Sequence, residues 1–288
     1  MKYWDRFQVP NRIQFVKFGD LNACEITTDV CTGRIFLHGA HVASYRPVNE
    51  RDLLFTSQSS AFAPDRPIRG GVPICFPWFA ANQNDPQAPA HGTARVSLWE
   101  LQNVQLAEEH QSVAFTFGLA LPPFRLLYEV EFGPALKIRL TVTNTSDQTQ
   151  TFEVALHSYF SLSHVQQVEV LGLQKARFLD QLSGTLYPPV QRAIRFTQET
   201  DRIYYDTTDA IQIVDSGWGR CIQIEKFGSP STVVWNPWIE KSQRMSDFGD
   251  NEWPHMCCVE TAAIRQNQIE LPPDESHTIG ATHAVSHI

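Results

Sequence analysis

Hydrophobic and polar residues alternate with a period of two along much of the chain. The clearest case is Leu136–Thr143. Leu136, Ile138, Leu140 and Val142 fall on one face, and Lys137, Arg139, Thr141 and Thr143 on the other. Strict alternation of this kind marks an antiparallel strand with one face buried and one solvated. Val113–Leu119 reads the same way, and further strands are predicted at Val168–Leu171, Ile211–Val214, Arg220–Ile224, Ser231–Trp235 and His277–Ala281. Turn-forming residues separate them at Gly133–Pro134, Asn144–Asp147, Ser216–Gly217 and Gly228–Pro230, where Gly, Pro, Asn and Asp supply the backbone angles a reversal needs.

Helical periodicity is scarce. Asn236–Pro237 has the form of an N-cap followed by proline at the first helical position, which predicts a short helix within Trp238–Phe248. The proline-rich stretch Pro64–Pro89 also holds Phe76, Trp78 and Phe79. That is too much apolar mass for a solvated tether, so it reads as an irregular loop. Many closely spaced strands with few helices predict an all-β sandwich or barrel. No repeat, low-complexity tract or break in composition divides the chain, so one domain over residues 1–288 is expected.

Composition narrows the class. With 42% hydrophobic and 11% aromatic residues in 288, the chain is too apolar to be disordered. Lys and Arg total 23 against 31 Asp and Glu, a net charge of −8. This argues against a nucleic-acid partner, because such domains concentrate positive charge. No run approaches the roughly 18 apolar residues of a membrane helix. The first residues, MKYWDRFQVPNR, mix charge with aromatics where a secretion signal needs an apolar stretch. A cytoplasmic protein with no membrane partner is therefore expected. The six cysteines form neither a CxxC pair nor a zinc-type spacing, and reduced, mostly buried thiols are expected.

Several residues have the chemistry of a site. Arg69 precedes two glycines and lies among prolines 67, 73 and 77, a stiff loop that would fix its angle or simply pack a surface arginine. His91 and Arg95, four apart in HGTAR, would either point at one ligand or serve structure. His157 lies in an apolar, strand-like context; it is either a satisfied core histidine or an acid–base group. Glu260 follows an apolar run, and a glutamate there is expensive to bury unless it is paired or functional. Asp201 reads as a turn residue or a hydroxyl binder, and Trp235 and Trp238 as core or as a stacking surface for a sugar ring.

The order of these motifs is more specific than any one of them. IRGGVPICFPWF, HGTAR, ALHSYF, ETDRIYYD, WNPW and CVETA follow one another between residues 68 and 262. This succession resembles the glucose-6-phosphate 1-epimerases, the hexose-6-phosphate mutarotase branch of the aldose 1-epimerase superfamily. The resemblance implies a galactose-mutarotase-like β-supersandwich and interconversion of the α and β anomers of a hexose 6-phosphate. It places the family's catalytic histidine on His157 and its catalytic glutamate on Glu260. It implies phosphate binding by Arg69 and Arg95 and a hydroxyl contact by Asp201; His91, four residues before Arg95, is expected to bind the substrate as well. Two positions depart from the usual pattern: Thr93 stands where an aromatic is common, and Ala90 where glutamine is.

In this chemistry Glu260 as carboxylate takes the O1 proton while His157 as imidazolium protonates the ring oxygen. Their ordinary pKa values, about 4.3 and 6.5, would allow both states near neutral pH. No metal or cofactor is required. The expected partner is a small sugar phosphate, and a monomer is expected. Competing readings are an aldose 1-epimerase for unphosphorylated sugars, a non-catalytic carbohydrate-binding module, and a protein with a vestigial site.

Overall fold

The computed structural model describes residues 3–107 and 109–288. Among the described residues the chain builds two eight-stranded sheets, a four-stranded meander and a two-stranded ribbon. Every pairing between the named strands is antiparallel. The first large sheet runs in the order Val168–Leu171, Ile211–Asp215, Arg220–Phe227, Ser276–His287, Leu136–Asn144, Phe124–Phe132, Val113–Leu121, Glu100–Leu106. Each predicted strand lies at its expected place, all but Val168–Leu171 extended by one or more residues. In Leu136–Asn144 the apolar set is fully buried while Lys137 and Arg139 are exposed.

The second large sheet carries Thr200–Tyr205, Ser231–Asn236 and Met256–Ala263 side by side, with Val154–Leu156 and Tyr159–Ser161 both paired to the last. All eight residues of Met256–Ala263 are buried. A strand covered on both faces shows no alternation, which is why periodicity missed it. One face, through Cys257, Val259 and Ala263, enters the main core with Phe115, Leu140 and Ile213 of the first sheet and Ile35 and Tyr45 of the meander. The opposite face, through Cys258, Glu260 and Ala262, is left for the site.

The predicted helix is present as Trp238–Arg244. Asn236 Oδ1 accepts from the Trp238 amide at 2.9 Å, although Pro237, not Asn236, occupies the cap position. The Pro64–Pro89 stretch is mostly irregular and packed, with Phe76 and Phe79 buried. Its Ile74–Cys75 segment pairs with Val154–Leu156. All six cysteines are free and buried. No helix among the described residues is long and apolar enough to cross a membrane.

His283, on the last strand, lies wholly inside the core between Leu136 and Ile224, edge-on to Phe160. Neither ring nitrogen has a hydrogen-bond partner among the described residues. Burial pushes its pKa down to about 3; His41, likewise buried and also depressed by His38, falls to about 3. Unfolded histidine titrates near 6.5, so below that pH the unfolded chain takes protons that the fold refuses. Stability is therefore full above about pH 6.5 and is lost as pH falls toward 3. His283→Leu should raise the melting temperature more at pH 5 than at pH 8. An equal change at both values would overturn this account.

Candidate active site

The strand register brings His157 and Glu260 together. Leu156 lies opposite Thr261, and Tyr159 opposite Cys258. Between these positions the partner strand breaks for two residues, and the same register sets His157 opposite Glu260. At the break the His157 amide donates to the Pro73 carbonyl and the Ser158 amide to that of Leu156, both at 3.0 Å. His157 Nε2 stands 3.3 Å from Glu260 Oε1, with both side chains almost fully buried.

Arg69, His91, His157, Asp201 and Glu260 all line one cavity of about 390 Å³. Arg95 does not line it. It stands behind the wall, its Nη2 donating to the Ala90 carbonyl at 2.6 Å. The His157 ring stacks on Tyr159 at 4.7 Å and 11°, and Trp235 meets both rings edge-on. Arg69 braces the stack: Nη1 donates to the Tyr159 hydroxyl at 3.1 Å and Nη2 to Asp247 at 3.0 Å. The glycines after it explain the loop. Gly71 has φ +60°, and a Cβ there would lie 2.2 Å from the Val42 carbonyl.

His91 is fixed by its own turn. Its amide donates to the Ala80 carbonyl at 2.7 Å, and its Nδ1 accepts from the Ala80 amide at 3.3 Å. This hydrogen bond assigns the ring proton to Nε2. Burial, with Arg95 and Arg69 nearby, holds His91 neutral with a pKa of about 3. Asp201 Oδ1 accepts from Gln181 Nε2 at 2.5 Å, and Lys241 approaches Oδ2 at 3.8 Å.

The electrostatics correct the expectation of ordinary pKa values. Burial, then the charge of Asp201, pushes Glu260 well up. Burial pushes His157 well down, aided by His91, Arg69 and Arg95. Desolvation disfavours charge on both groups, so the free site favours neutral His157 facing a protonated Glu260, not imidazolium facing carboxylate. Glu260 Oε2, His157 Nδ1 and the Nε atoms of Arg69 and Arg95 are buried with no hydrogen-bond partner among the described residues. Such groups cost about 1–3 kcal/mol each when left unpaired. Those of Glu260, His157 and Arg69 belong to residues that line the cavity, and they fit a polar ligand there that would complete them.

The family model for aldose 1-epimerases matches residues 23–282. The chain belongs to the aldose 1-epimerase family. A Cenchrus ciliaris protein provisionally named glucose-6-phosphate 1-epimerase is 34% identical over 262 residues, 85% of this chain and 78% of that protein. An Escherichia coli K12 protein of the same provisional name is 33% identical over 244 residues, covering 81% and 80%. Among solved structures, YeaD of Salmonella typhimurium, provisionally described as a mutarotase, superposes with a TM-score of 0.90 at 26% identity, covering 98% of this chain and 96% of that one. The architecture is thus the galactose-mutarotase-like sandwich, and the family makes the protein an epimerase-type isomerase of sugars.

Gln181, Lys241 and Asp247 also reach the site, and the sequence reading missed all three. Gln181 and Asp247 lie in turns with no motif of their own; Lys241 had a faint signal, three residues beyond WNPW on a predicted helix. Gly92, beside His91, has φ +75°, and a Cβ there would fall 1.9 Å from the Phe76 carbonyl oxygen. The backbone angle alone costs a non-glycine residue about 1–3 kcal/mol, and the clash adds to it. Gly92→Ala should lower the melting temperature and slow turnover together. A variant with unchanged melting and rate would show that this turn does not set the site.

Proposed function

We propose that the protein interconverts the α and β anomers of hexose 6-phosphates, glucose 6-phosphate foremost. The observation that carries this reading is the buried 3.3 Å contact of His157 with Glu260 in a cavity that Arg69 also lines. Ring opening needs one proton removed from O1 and one delivered to the ring oxygen as the C1–O5 bond breaks and the C1 carbonyl forms. A pair that holds one proton supplies both transfers. Glu260 as carboxylate accepts from O1, and His157 as imidazolium donates to O5. Afterwards Glu260 carries the proton and His157 is neutral, the state that burial favours. Rotation about C1–C2 presents the other carbonyl face, and reclosure runs both transfers backward. Each positioned transfer is worth roughly 10²–10⁴-fold.

The 6-phosphate has a role in this cycle. Arg69 and Arg95 both depress His157, and a phosphate dianion beside them offsets their charge. Binding then moves the shared proton toward His157 and arms the pair. Guanidinium groups suit phosphate oxygens because their donors are planar and paired. Arg69 is the direct ligand in this reading, and Arg95 adds positive potential from behind the wall. The unphosphorylated-sugar reading is favoured by one observation: Arg69 is already engaged by Asp247 and Tyr159.

Exchange NMR between anomers, with glucose 6-phosphate and with glucose, tests both readings. His157→Ala and Glu260→Gln should each slow exchange by roughly 10²-fold or more while circular dichroism stays unchanged. A near-normal rate in either would remove that residue from the chemistry. Arg69→Ala should raise KM for glucose 6-phosphate far more than for glucose. Equal effects on the two sugars would sink the phosphate role.

A further inference from the structure

Lys241 takes no part in the proton transfers, yet it lines the same cavity. It sits on the helix Trp238–Arg244, which follows directly from the strand Ser231–Asn236. Its Nζ lies 3.0 Å from Glu199 Oε1 and 3.8 Å from Asp201 Oδ2, and 5.8 Å from the centre of the Trp235 ring. Trp235 lies opposite Asp201 on one side and opposite Cys258 on the other. The helix thus returns a cation over the strand pair that carries Asp201 and toward the strand that carries Glu260. Two carboxylates already surround this ammonium, so it is poorly placed to serve as a free phosphate ligand.

We propose that Lys241 is a positioning residue that holds the Asp201 carboxylate toward a hydroxyl of the sugar ring. The proposal rests on reading the cavity as a sugar epimerase site, but not on the sugar being phosphorylated. Asp201 is held at two points. Gln181 donates to Oδ1 at 2.5 Å, and Lys241 faces Oδ2. The hydrogen bond orients the carboxylate, and the ammonium, beyond hydrogen-bond reach of Oδ2, places a positive charge beside its other oxygen. Glu199 takes the nearer place at the ammonium and keeps the lysine chain bent over Trp235.

The charged neighbours of Asp201 do not balance without Lys241. Burial raises the Asp201 pKa, and the charges of Glu199 and Asp180 raise it further; the Gln181 hydrogen bond and Lys241 oppose them. Two strands away, beyond Trp235, Glu260 and Cys258 both feel the charge of Asp201. Without the lysine, Asp201 holds a proton to higher pH. It then presents a donor where the ring hydroxyl needs an acceptor, and it no longer raises Glu260.

The test compares Lys241→Met and Lys241→Arg with the unaltered protein. Anomer exchange is followed by NMR across pH with glucose and with glucose 6-phosphate. Lys241→Met should lower kcat/KM roughly ten- to hundredfold, the range for a hydrogen bond to a charged group. The loss should be equal for the two sugars, and the acid limb of the profile should move to higher pH. Lys241→Arg should restore both rate and limb. A lowered rate with an unmoved acid limb would mean a merely structural role and overturn the proposal. So would an unchanged rate, or a loss confined to glucose 6-phosphate. An unaltered protein that treats both sugars alike, with the limb still shifted in Lys241→Met, would defeat the phosphate reading and leave Lys241 standing.

Discussion

The site depends on one cross-strand juxtaposition. A carboxylic acid and an imidazole meet at 3.3 Å because two strands hold a fixed register on either side of a two-residue break. A register slip of one residue would turn Glu260 into the main core and Val259 into the cavity. The eight buried residues of Met256–Ala263 make that slip prohibitive. The His157–Glu260 contact is therefore secured by the same burial that stabilises the sheet, and the loops around it contribute orientation.

Burial also determines what the pair is. Surrounded by Tyr159, Trp235 and Val233, neither group keeps its solution behaviour. Their shifts run in opposite directions, and both favour the uncharged form. The charged neighbours add to these shifts. Arg69 and Arg95 depress His157, Asp201 raises Glu260, and Lys241 acts on Asp201. In a low-dielectric site such chains of neighbours matter more than the net charge of −8 on the whole protein.

How much of this was legible in the sequence follows from the physics of each element. Leu136–Asn144 could be read because one of its faces meets water, and Lys137 and Arg139 report it. Met256–Ala263 showed no period, because a strand buried on both faces loses it, and only the apolar run before Glu260 marked it. The motifs located His157, Glu260, Arg69, His91 and Asp201, and all five line the cavity. They did not reveal that Arg95 stands behind the wall, since HGTAR fixes a turn and not a direction. Nor did they reveal the displaced pKa values, which arise from neighbours on strands far apart in the chain. Gln181 and Asp247 carry no local signature, and Lys241 only its place on the helix after WNPW, because their importance lies in whom they touch.

The six free cysteines acquire a meaning from this arrangement. Cys75, Cys257 and Cys258 lie in or beside the sheet that bears the site, and burial pushes all three thiols well above their ordinary range. A thiol is reactive only as thiolate, so the folded protein is chemically silent toward alkylating and oxidising agents at these positions. Cys258, directly opposite both Tyr159 and Trp235, becomes reactive only when that sheet opens. The interior of the enzyme thus contains a native clock for its own unfolding, wound into the strand that holds Glu260.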